Sequence, residues 1–524
     1  MNFRLVVVTL AVGLCVDGTL LDAQAGAVAI EPANMQAIAH VNERFQSYNI
    51  EMIEVTGGRF WAPYKAKPDE SAQKPGSAPA GMPASLYRYR PPVDLGNLKL
   101  QKLAAALSPA FVRVSGTWAN STYFWDSDAP AQEKPPAGFN GVLTRAEWKG
   151  VVDFAHAADA RLVTSFAISP GVRDASGVWT PEEAEKLLRF TKSIGGNIAA
   201  AEMFNEPTFA SMGGAPKGYD AEAYARDFKA FRAYMKKADP RLEILGPGGV
   251  GEAGGLGQAP GMKTVRSEDI LRNEGPGLDA FSYHYYGGVS RRCAPMGAAI
   301  GMSPEKALSE HWLTLTLRDE AFYAALRDKY TPGKPIWLTE TAETACGGDP
   351  WAPDFIDTFR YLAQLGELAQ KSVQVVMHNT LNASDYGLLD ETTLDPTADY
   401  WGAVLWRRLM GTTVLDPGAA KQPDLYVFAQ CLRGKRGGVA VLAINANRDE
   451  SREISLPIAS TRYTLTAPDL MGTAVLLNGE ALDASADGAL PAMDGTAQAA
   501  GSVQLKALSI TFLAVPGAKN AACR

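Results

Sequence analysis

The chain has 524 residues, of which 46% are hydrophobic, so it can form one large domain and a smaller one and is too apolar to be disordered as a whole. Its 50 Lys and Arg residues stand against 57 Asp and Glu residues, a net charge of -7, and no basic tract of the kind that binds nucleic acid is evident. Composition therefore favours a globular protein without a nucleic-acid partner.

Residues 1–25 have the features of a secretory signal peptide. Arg4 precedes an apolar run too short to span a bilayer, and Ala23-Gln24-Ala25 supplies small residues at the spacing of a cleavage site. No other stretch approaches the ~18 uninterrupted apolar residues of a membrane-spanning helix. We therefore expect a secreted or periplasmic protein with no membrane contact after signal cleavage.

Between residues 46 and 411, apolar segments of strand type alternate with segments of helical periodicity. The eight strand candidates are YNIEMIEV, AFVRVSG, ARLVTSFAI, AAAEMFN, LEILGPG, DAFSYHYY, PIWLTE and VQVVMHN. Eight strand–helix alternations predict an α/β fold, a closed parallel (β/α)8 TIM barrel with its active site at the C-terminal strand ends. Residues 65–92, rich in Pro, Ala, Ser and Gly, are predicted as a long surface loop after the first strand.

Beyond the barrel the pattern changes to period-two strands separated by Gly, Asp and Asn turns. This pattern predicts a C-terminal β-sandwich over residues 412–524. Residues 26–45 contain the short strand candidate VAI, and we expect this N-terminal segment to join the sandwich.

Four cysteines remain after the signal peptide: Cys293, Cys346, Cys431 and Cys523. An even number in an exported protein indicates disulfides, and three pairings are possible. None of them has the close Cys/His spacing of a zinc site, and the five histidines are scattered, so we expect no metal. The sequence 246–251 fits a dinucleotide fingerprint, but the residues that follow cannot open a helix, so we expect no cofactor either.

Two glutamates stand at the ends of predicted strands four and seven. Glu206 follows AAAEMFN, and Pro207 ends strand pairing there, while Glu340 lies at the tip of PIWLTE. Two carboxyls that meet across a barrel mouth, one protonated and one ionised, are what glycosidic bond cleavage requires. Glu343, which lies in the following loop, is the alternative to Glu340. Asn205 is suited to bind a sugar hydroxyl beside the acid.

Four segments resemble the heparanase-like β-glucuronidase family of glycoside hydrolases. They are LQKLAAALSPAFVRVSGT, MFNEP, IWLTETAETACGG and ASDYGLLDETTLDPTADYW. The resemblance implies a retaining hydrolase that cleaves β-linked glucuronides by double displacement, with Glu206 as acid/base and Glu340 as nucleophile. Its implied partner is an oligo- or polysaccharide containing glucuronic acid, heparan-sulfate-like glycosaminoglycans among them. The residues leave endo and exo action and the oligomeric state open.

The resemblance also implies substrate contacts. The N–H groups of Gly347 and Gly348, which can form an anion-binding nest, would hold the glucuronate carboxylate together with the hydroxyl of Tyr386. The phenol that contacts the nucleophile would be Tyr285. Further positions that match family contacts to sugar hydroxyls are Thr117 and Glu51, with Glu54 as the alternative to Glu51.

In this family a disulfide joins the regions that contain Cys431 and Cys523. That pairing would leave Cys293 and Cys346, each in a loop just past a strand of the barrel mouth, to form a bridge across the rim of the site.

Two other functions are compatible with the same pattern. One is a related retaining barrel glycosidase for neutral sugars, which would not use Gly347, Gly348 and Tyr386 to hold a carboxylate. The other is a non-catalytic carbohydrate-binding protein, which loss of either glutamate would indicate, and both glutamates are present.

Overall fold

The computed structural model describes residues 27–65, 83–132, 134–254, 263–274, 277–296 and 301–524. The predicted signal peptide lies outside these residues, as does the part of the predicted surface loop from 66 to 82. Within the described ranges, no helix has both the length and the apolar composition needed to cross a membrane.

Eight parallel strands close into a barrel. In chain order they are β1 (Gln46–Glu51), β2 (Ala110–Ser115), β3 (Ala160–Ser165), β4 (Ile198–Glu202), β5 (Glu243–Val250), β6 (Ala280–Tyr286), β7 (Ile336–Ala342) and β8 (Val373–His378). Each strand pairs with the next along the chain, and β8 pairs with β1 to complete the circle. The predicted (β/α)8 barrel is therefore confirmed, and the C-terminal ends of all eight strands meet at one mouth.

Helices surround the barrel. The longer ones, in chain order, are α1 (Leu98–Ala105), α2 (Arg145–Ala157), α3 (Glu182–Ser193), α4 (Ala221–Ala238), α5 (Ser267–Glu274), α6 (Thr316–Tyr330), α7 (Phe355–Gln370) and α8 (Ala398–Leu409). The short helices Met52–Thr56 and Glu310–Thr314 lie in the connections after β1 and β6. A capping box between Thr144 and Glu147 starts α2, because each side chain accepts from the other residue's backbone N–H.

The interior of the barrel changes from apolar to polar towards the mouth. Its lower layer is apolar and includes Phe111, Val163, Ala200, Leu245, Ala280, Trp337, Val375 and Met377. Two residues further along β2, β4 and β7 come Arg113, Glu202 and Thr339, all buried and polar. Because residues two apart face the same side of a strand, these polar groups also point to the barrel axis. The strands thus carry a polar layer just below the mouth.

A β-sandwich lies beside the barrel, and both ends of the chain contribute to it. The larger sheet contains, in spatial order, Ala37–His40, Met410–Leu415, Leu425–Leu432, Val439–Asn445, Ser509–Val515, Ser460–Thr466, Leu476–Leu477 and Glu480–Ala481, with Thr496–Gln498 paired to Ser460–Thr466. The smaller sheet contains Val28–Ala29, Arg452–Leu456 and Gly501–Leu505. Each sheet therefore includes one strand from the N-terminal segment.

The sandwich packs closely against α7. A Cβ added at Gly366 of this helix would lie 2.4 Å from the ring of Phe428 in the sandwich. Glycine at this position therefore lets the helix and the sheet approach each other, and most residues of α7 are buried.

Candidate active site

Glu206 and Glu340 lie together at the mouth of the barrel, just after β4 and near the end of β7. Three atoms lie within 4.8 Å of one another: one carboxylate oxygen from each glutamate and a ring nitrogen of His284, which belongs to β6. Inverting glycosidases keep their carboxyls ~6.5–9.5 Å apart to admit a water molecule, whereas retaining enzymes hold them at ~5–5.5 Å. The close approach of the two glutamates fits the retaining arrangement.

The backbone at Glu206 has a left-handed conformation, with φ of 49°, which is rare for residues other than glycine. Asn120, on the rim after β2, binds the backbone of Asn205, the residue that precedes Glu206. Its Oδ1 accepts from the N–H of Asn205 at 2.8 Å and its Nδ2 donates to the C=O of Asn205 at 2.9 Å. Backbone strain of this kind, about 1–3 kcal/mol, persists where surrounding contacts fix it and is common at active sites. Pro207 then begins a short 3-10 turn.

A buried guanidinium connects the acidic groups below the mouth. Arg113 of β2 donates to Oε2 of Glu340 at 2.8 Å and, through Nε and Nη2, to Oε2 of Glu202 at 3.1 and 2.9 Å. Its Nη2 also donates to Oδ1 of Asn205 at 2.7 Å. Burial alone would raise the pKa of Glu202, but the charge of Arg113, together with His284 and the hydroxyls of Ser282 and Thr339, lowers the pKa overall, so this carboxylate stays ionised. The ion pair therefore fixes both the position and the charge of the polar layer.

His284 lies between the two glutamates. Its Nδ1 is 3.1 Å from Oε1 of Glu206 and 3.7 Å from Oε2 of Glu340, while its Nε2 is 3.3 Å from Nη2 of Arg113. A guanidinium only donates, so in the neutral ring Nε2 is the acceptor and Nδ1 carries the proton, which faces the carboxylates. Burial raises the pKa of Glu206 above its usual value; the hydrogen bond from His284 opposes that shift and the charge of Glu340 adds to it.

The phenol on Glu340 belongs to Tyr286, so the expectation for Tyr285 is wrong. The hydroxyl of Tyr286 donates to Oε1 of Glu340 at 2.7 Å. Successive side chains of a strand point to opposite faces, and His284 and Tyr286 both point into the barrel. Tyr285 is buried on the outer face of β6. Burial raises the pKa of its hydroxyl; the charge of Asp319 adds to that shift and the Arg360 guanidinium opposes it.

Glu51, at the end of β1, is the member of the Glu51/Glu54 pair that reaches the site. Nδ2 of Asn379 donates at 3.2 Å to Oε1 of Glu51 and also to the hydroxyls of Tyr286 and Tyr386. Oε2 of Glu51 has no hydrogen-bond partner among the described residues. Burial, followed by the charge of Glu340, raises the pKa of Glu51 well above its usual value.

Glu54 faces away from Glu340 and forms a buried ion pair with Arg90 at 3.4 Å, and its Oε1 accepts from the N–H of Glu51. Thr117 begins a 3-10 helix on the rim directly after Gly116 and is half-buried. A Cβ at Gly116 would lie 1.5 Å from Oε2 of Glu51, so glycine is required where the rim passes this carboxylate.

Gly347 and Gly348 follow β7 and both have positive φ, 84° and 82°. A Cβ at Gly347 would lie 2.5 Å from Trp61 and from Ser384, and one at Gly348 would lie 3.1 Å from the backbone nitrogen of Tyr386. Across the described part of the chain, neither glycine N–H has a hydrogen-bond acceptor. The loop therefore brings two unpaired N–H groups close to Tyr386, as an anion site requires.

Glu343, the alternative nucleophile, lies behind this loop instead of at the mouth. It is fully buried, and its Oε2 accepts from the hydroxyl of Thr344 at 2.8 Å and the N–H of Asp349 at 3.0 Å. Burial, followed by the charges of Asp357 and Asp349, raises the pKa of Glu343 well above its usual value. Both contacts are with residues of the loop, one through a side-chain hydroxyl and one through a backbone N–H, so Glu343 supports the loop.

The described residues contain two disulfides. Cys293 is joined to Cys346, which immediately precedes Gly347, and this bridge links the loops after β6 and β7 at the rim. Cys431 is joined to Cys523 inside the sandwich.

Besides Tyr286 and Asn120, sequence reasoning missed four residues of the site: Arg113, Glu202, His284 and Asn379. Arg113 and Glu202 each interrupt an apolar strand, in AFVRVSG and AAAEMFN, and a charge in a buried strand needs a partner. That signal was available from the sequence. The roles of His284 and Asn379 depend on contacts between distant strands, which no local pattern indicates.

The group formed by Glu206, His284 and Glu340 has ligand atoms close enough to hold a metal ion. Arg113 already places a positive charge 2.8 Å from Glu340 and 3.3 Å from His284. Because like charges repel strongly in a buried site, the guanidinium opposes binding of a cation there.

The chain is similar to known proteins over most of its length. Heparanase of Mus musculus is 26% identical over 491 residues, which cover 82% of this chain and 88% of the relative. Hyaluronoglucuronidase of Hirudo nipponia is 26% identical over 491 residues, which cover 84% of this chain and 93% of the relative. A solved 4-O-α-L-rhamnosyl-β-D-glucuronidase from Fusarium oxysporum has a TM-score of 0.59 at 12% identity over 93% of this chain and 99% of that chain, which shows the shared fold. No family model matches the chain.

Proposed function

We propose that this chain, a member of the heparanase-like β-glucuronidase family of glycoside hydrolases, is a retaining β-glucuronidase with Glu206 as acid/base and Glu340 as nucleophile. The observation that carries the proposal is that one oxygen of each carboxylate lies within 4.8 Å of the other at the barrel mouth. Their surroundings differ: Glu340 accepts from Arg113 and Tyr286, whereas Glu206 faces His284. The charge of Arg113 and the hydroxyl of Tyr286 favour an ionised nucleophile, whereas burial and the nearby charge of Glu340 raise the pKa of Glu206, as an acid requires.

The reaction then proceeds in two displacements. In the first, Oε1 or Oε2 of Glu340 attacks the anomeric carbon while Glu206 gives its proton to the departing glycosidic oxygen, which leaves a glycosyl ester on Glu340. In the second, Glu206 removes a proton from water, the resulting hydroxide attacks the anomeric carbon, and the carboxylate of Glu340 departs. Arg113 and Tyr286 stabilise the charge that returns to Glu340.

The sugar is recognised by atoms that still have hydrogen-bonding capacity among the described residues. The N–H groups of Gly347 and Gly348 and the hydroxyl of Tyr386 would hold the glucuronate carboxylate, which supplies the acceptors that these donors lack. Oε2 of Glu51 would accept from a sugar hydroxyl. A buried polar atom without a partner costs about 1–3 kcal/mol, so a hydroxyl that satisfies it favours binding.

The substrate is a β-linked glucuronide in an oligo- or polysaccharide, since relatives similar over most of their length are named heparanase and hyaluronoglucuronidase. We also propose that the protein is exported and that residues 1–25 are removed. Two disulfides support this location, because such bonds persist in oxidising compartments.

The test compares hydrolysis of 4-nitrophenyl β-D-glucuronide with that of the corresponding β-glucoside and β-xyloside. We expect the glucuronide to be strongly preferred, and Glu340→Gln, purified in parallel, to be inactive. Proton NMR of the first product should show the β anomer of glucuronic acid, as retention requires. Preference for a neutral glycoside would refute glucuronide specificity, and initial release of the α anomer would refute double displacement.

A further inference from the structure

A buried ion pair lies behind the loop that contains Gly347 and Gly348. Arg292, from the 3-10 segment after β6, donates to Oδ2 of Asp385, in the loop after β8, and the two side chains are 7% and 6% exposed. On the basis of the function proposed above, we propose that Arg292 is a positioning residue that, through Asp385, aims the N–H of Gly348 at the sugar carboxylate and so determines preference for glucuronides.

Arg292 connects four of the loops at the mouth. Besides Asp385, its guanidinium donates to the C=O of Ala62, after β1, and at 3.3 Å to the C=O of Gly348, after β7. Its guanidinium carbon lies 4.2 Å from the ring centroid of Tyr64, and its backbone N–H donates to the hydroxyl of Tyr64. Only a planar group with several donors can satisfy acceptors in such different directions.

Asp385 in turn determines how the glycine loop is oriented. Its backbone N–H donates at 3.1 Å to the C=O of Gly347, which also accepts from the hydroxyl of Ser384 at 2.9 Å. In a trans peptide the C=O and the following N–H point in opposite directions. With the C=O of Gly347 bound to the β8 loop, the N–H of Gly348 must point away from that loop, and it has no acceptor among the described residues.

The pair acts through geometry more than through charge. Asp385 neutralises Arg292, and the donors of the guanidinium go to acceptors within the protein, so the pair acts on the loops and not directly on the sugar. The carboxylate of Asp385 also accepts from the N–H of Tyr64 at 3.2 Å, which ties the loop after β1 to the same point. Removal of the guanidinium would leave Asp385 as an unpaired buried charge and release three loops at once.

The experiment measures kcat and KM of Arg292→Gln and Asp385→Asn on 4-nitrophenyl β-D-glucuronide. We expect KM to rise about tenfold or more in each variant while kcat changes less than about threefold, because the loop affects binding more than the bond-breaking step. Arg292→Lys should not restore KM, since an ammonium cannot reach all the acceptors. The control is Arg436→Gln, which removes an exposed arginine of the sandwich and should keep the wild-type KM.

An unchanged KM in Arg292→Gln, or full rescue by Arg292→Lys, would overturn the inference, as would an equal loss of kcat/KM on the β-glucoside. Circular dichroism and thermal unfolding establish that each variant is folded before its kcat and KM are compared with those of the wild type. If Arg292→Gln does not fold, Asp385→Asn, which keeps size and removes only the charge, provides the same comparison. Failure of the proposed function would give a different result from failure of this inference, because the wild-type protein itself would then not hydrolyse the glucuronide.

Discussion

The hydroxyl of Tyr286 lies 2.7 Å from Oε1 of Glu340, at the point where β6 and β7 end side by side. The pairing of these strands shifts its register between Tyr283 and His284, just before this contact. The neighbouring Tyr285 points to the outer face. One residue along a strand thus separates a phenol that contacts the proposed nucleophile from one that packs behind the barrel.

Tyr286→Phe should lower kcat on 4-nitrophenyl β-D-glucuronide by roughly tenfold to a hundredfold, because Glu340 loses a donor that stabilises its charge. Tyr285→Phe is the matched control and should stay within about twofold of wild type, since its hydroxyl does not contact the carboxylate. Steady-state kinetics of the two variants, made identically, provide the measurement. A larger loss in Tyr285→Phe would restore the family-based assignment of Tyr285.

Glu206→Gln should separate substrates by leaving group. Hydrolysis of glucuronides with poor leaving groups should fall by about 10²- to 10⁴-fold, because general acid catalysis is lost. Aryl glucuronides with acidic phenols need little protonation and should retain much of their rate for the first step. The measurement is kcat/KM across a series of aryl glucuronides, and an equal loss on all of them would contradict the acid role of Glu206.

The pH profile should report the proton on Glu206. Burial raises the pKa of this carboxyl, so the acid keeps its proton to higher pH than an ordinary glutamate, whose pKa is about 4.3. On a substrate with a poor leaving group, kcat/KM should therefore fall on the alkaline side as pH passes through the raised pKa. The same limb should disappear in Glu206→Gln. Its persistence in that variant would assign the titration to another group.

The two disulfides should affect different properties. Cys431→Ser/Cys523→Ser opens a link across 92 residues, so unfolding in urea should show a loss of roughly 4–5 kcal/mol by the chain-entropy relation, with kcat/KM retained. Cys293→Ser/Cys346→Ser frees the residue next to Gly347, so KM for the glucuronide should rise. An activity loss confined to the sandwich variant would contradict this division.

Local patterns in the chain determined the architecture. Eight apolar segments separated by segments of helical periodicity predicted the barrel, because strand and helix periodicities are properties of neighbouring residues. The same reasoning put Glu206 and Glu340 at strand ends, where barrel strands converge on one mouth. Their meeting required only the closure of the barrel.

Tertiary structure alone decided which side chains surround them. Arg113 binds Glu202 and Glu340 across sequence separations of 89 and 227 residues. The choice of Tyr286 over Tyr285 depended on the face of β6 that each side chain occupies, and that of Glu51 over Glu54 on the direction of each side chain at the mouth. Such contacts arise from packing between strands distant in the chain, and a one-residue shift in pairing exchanges the faces of a strand. A single sequence carries no local signal that resolves that shift.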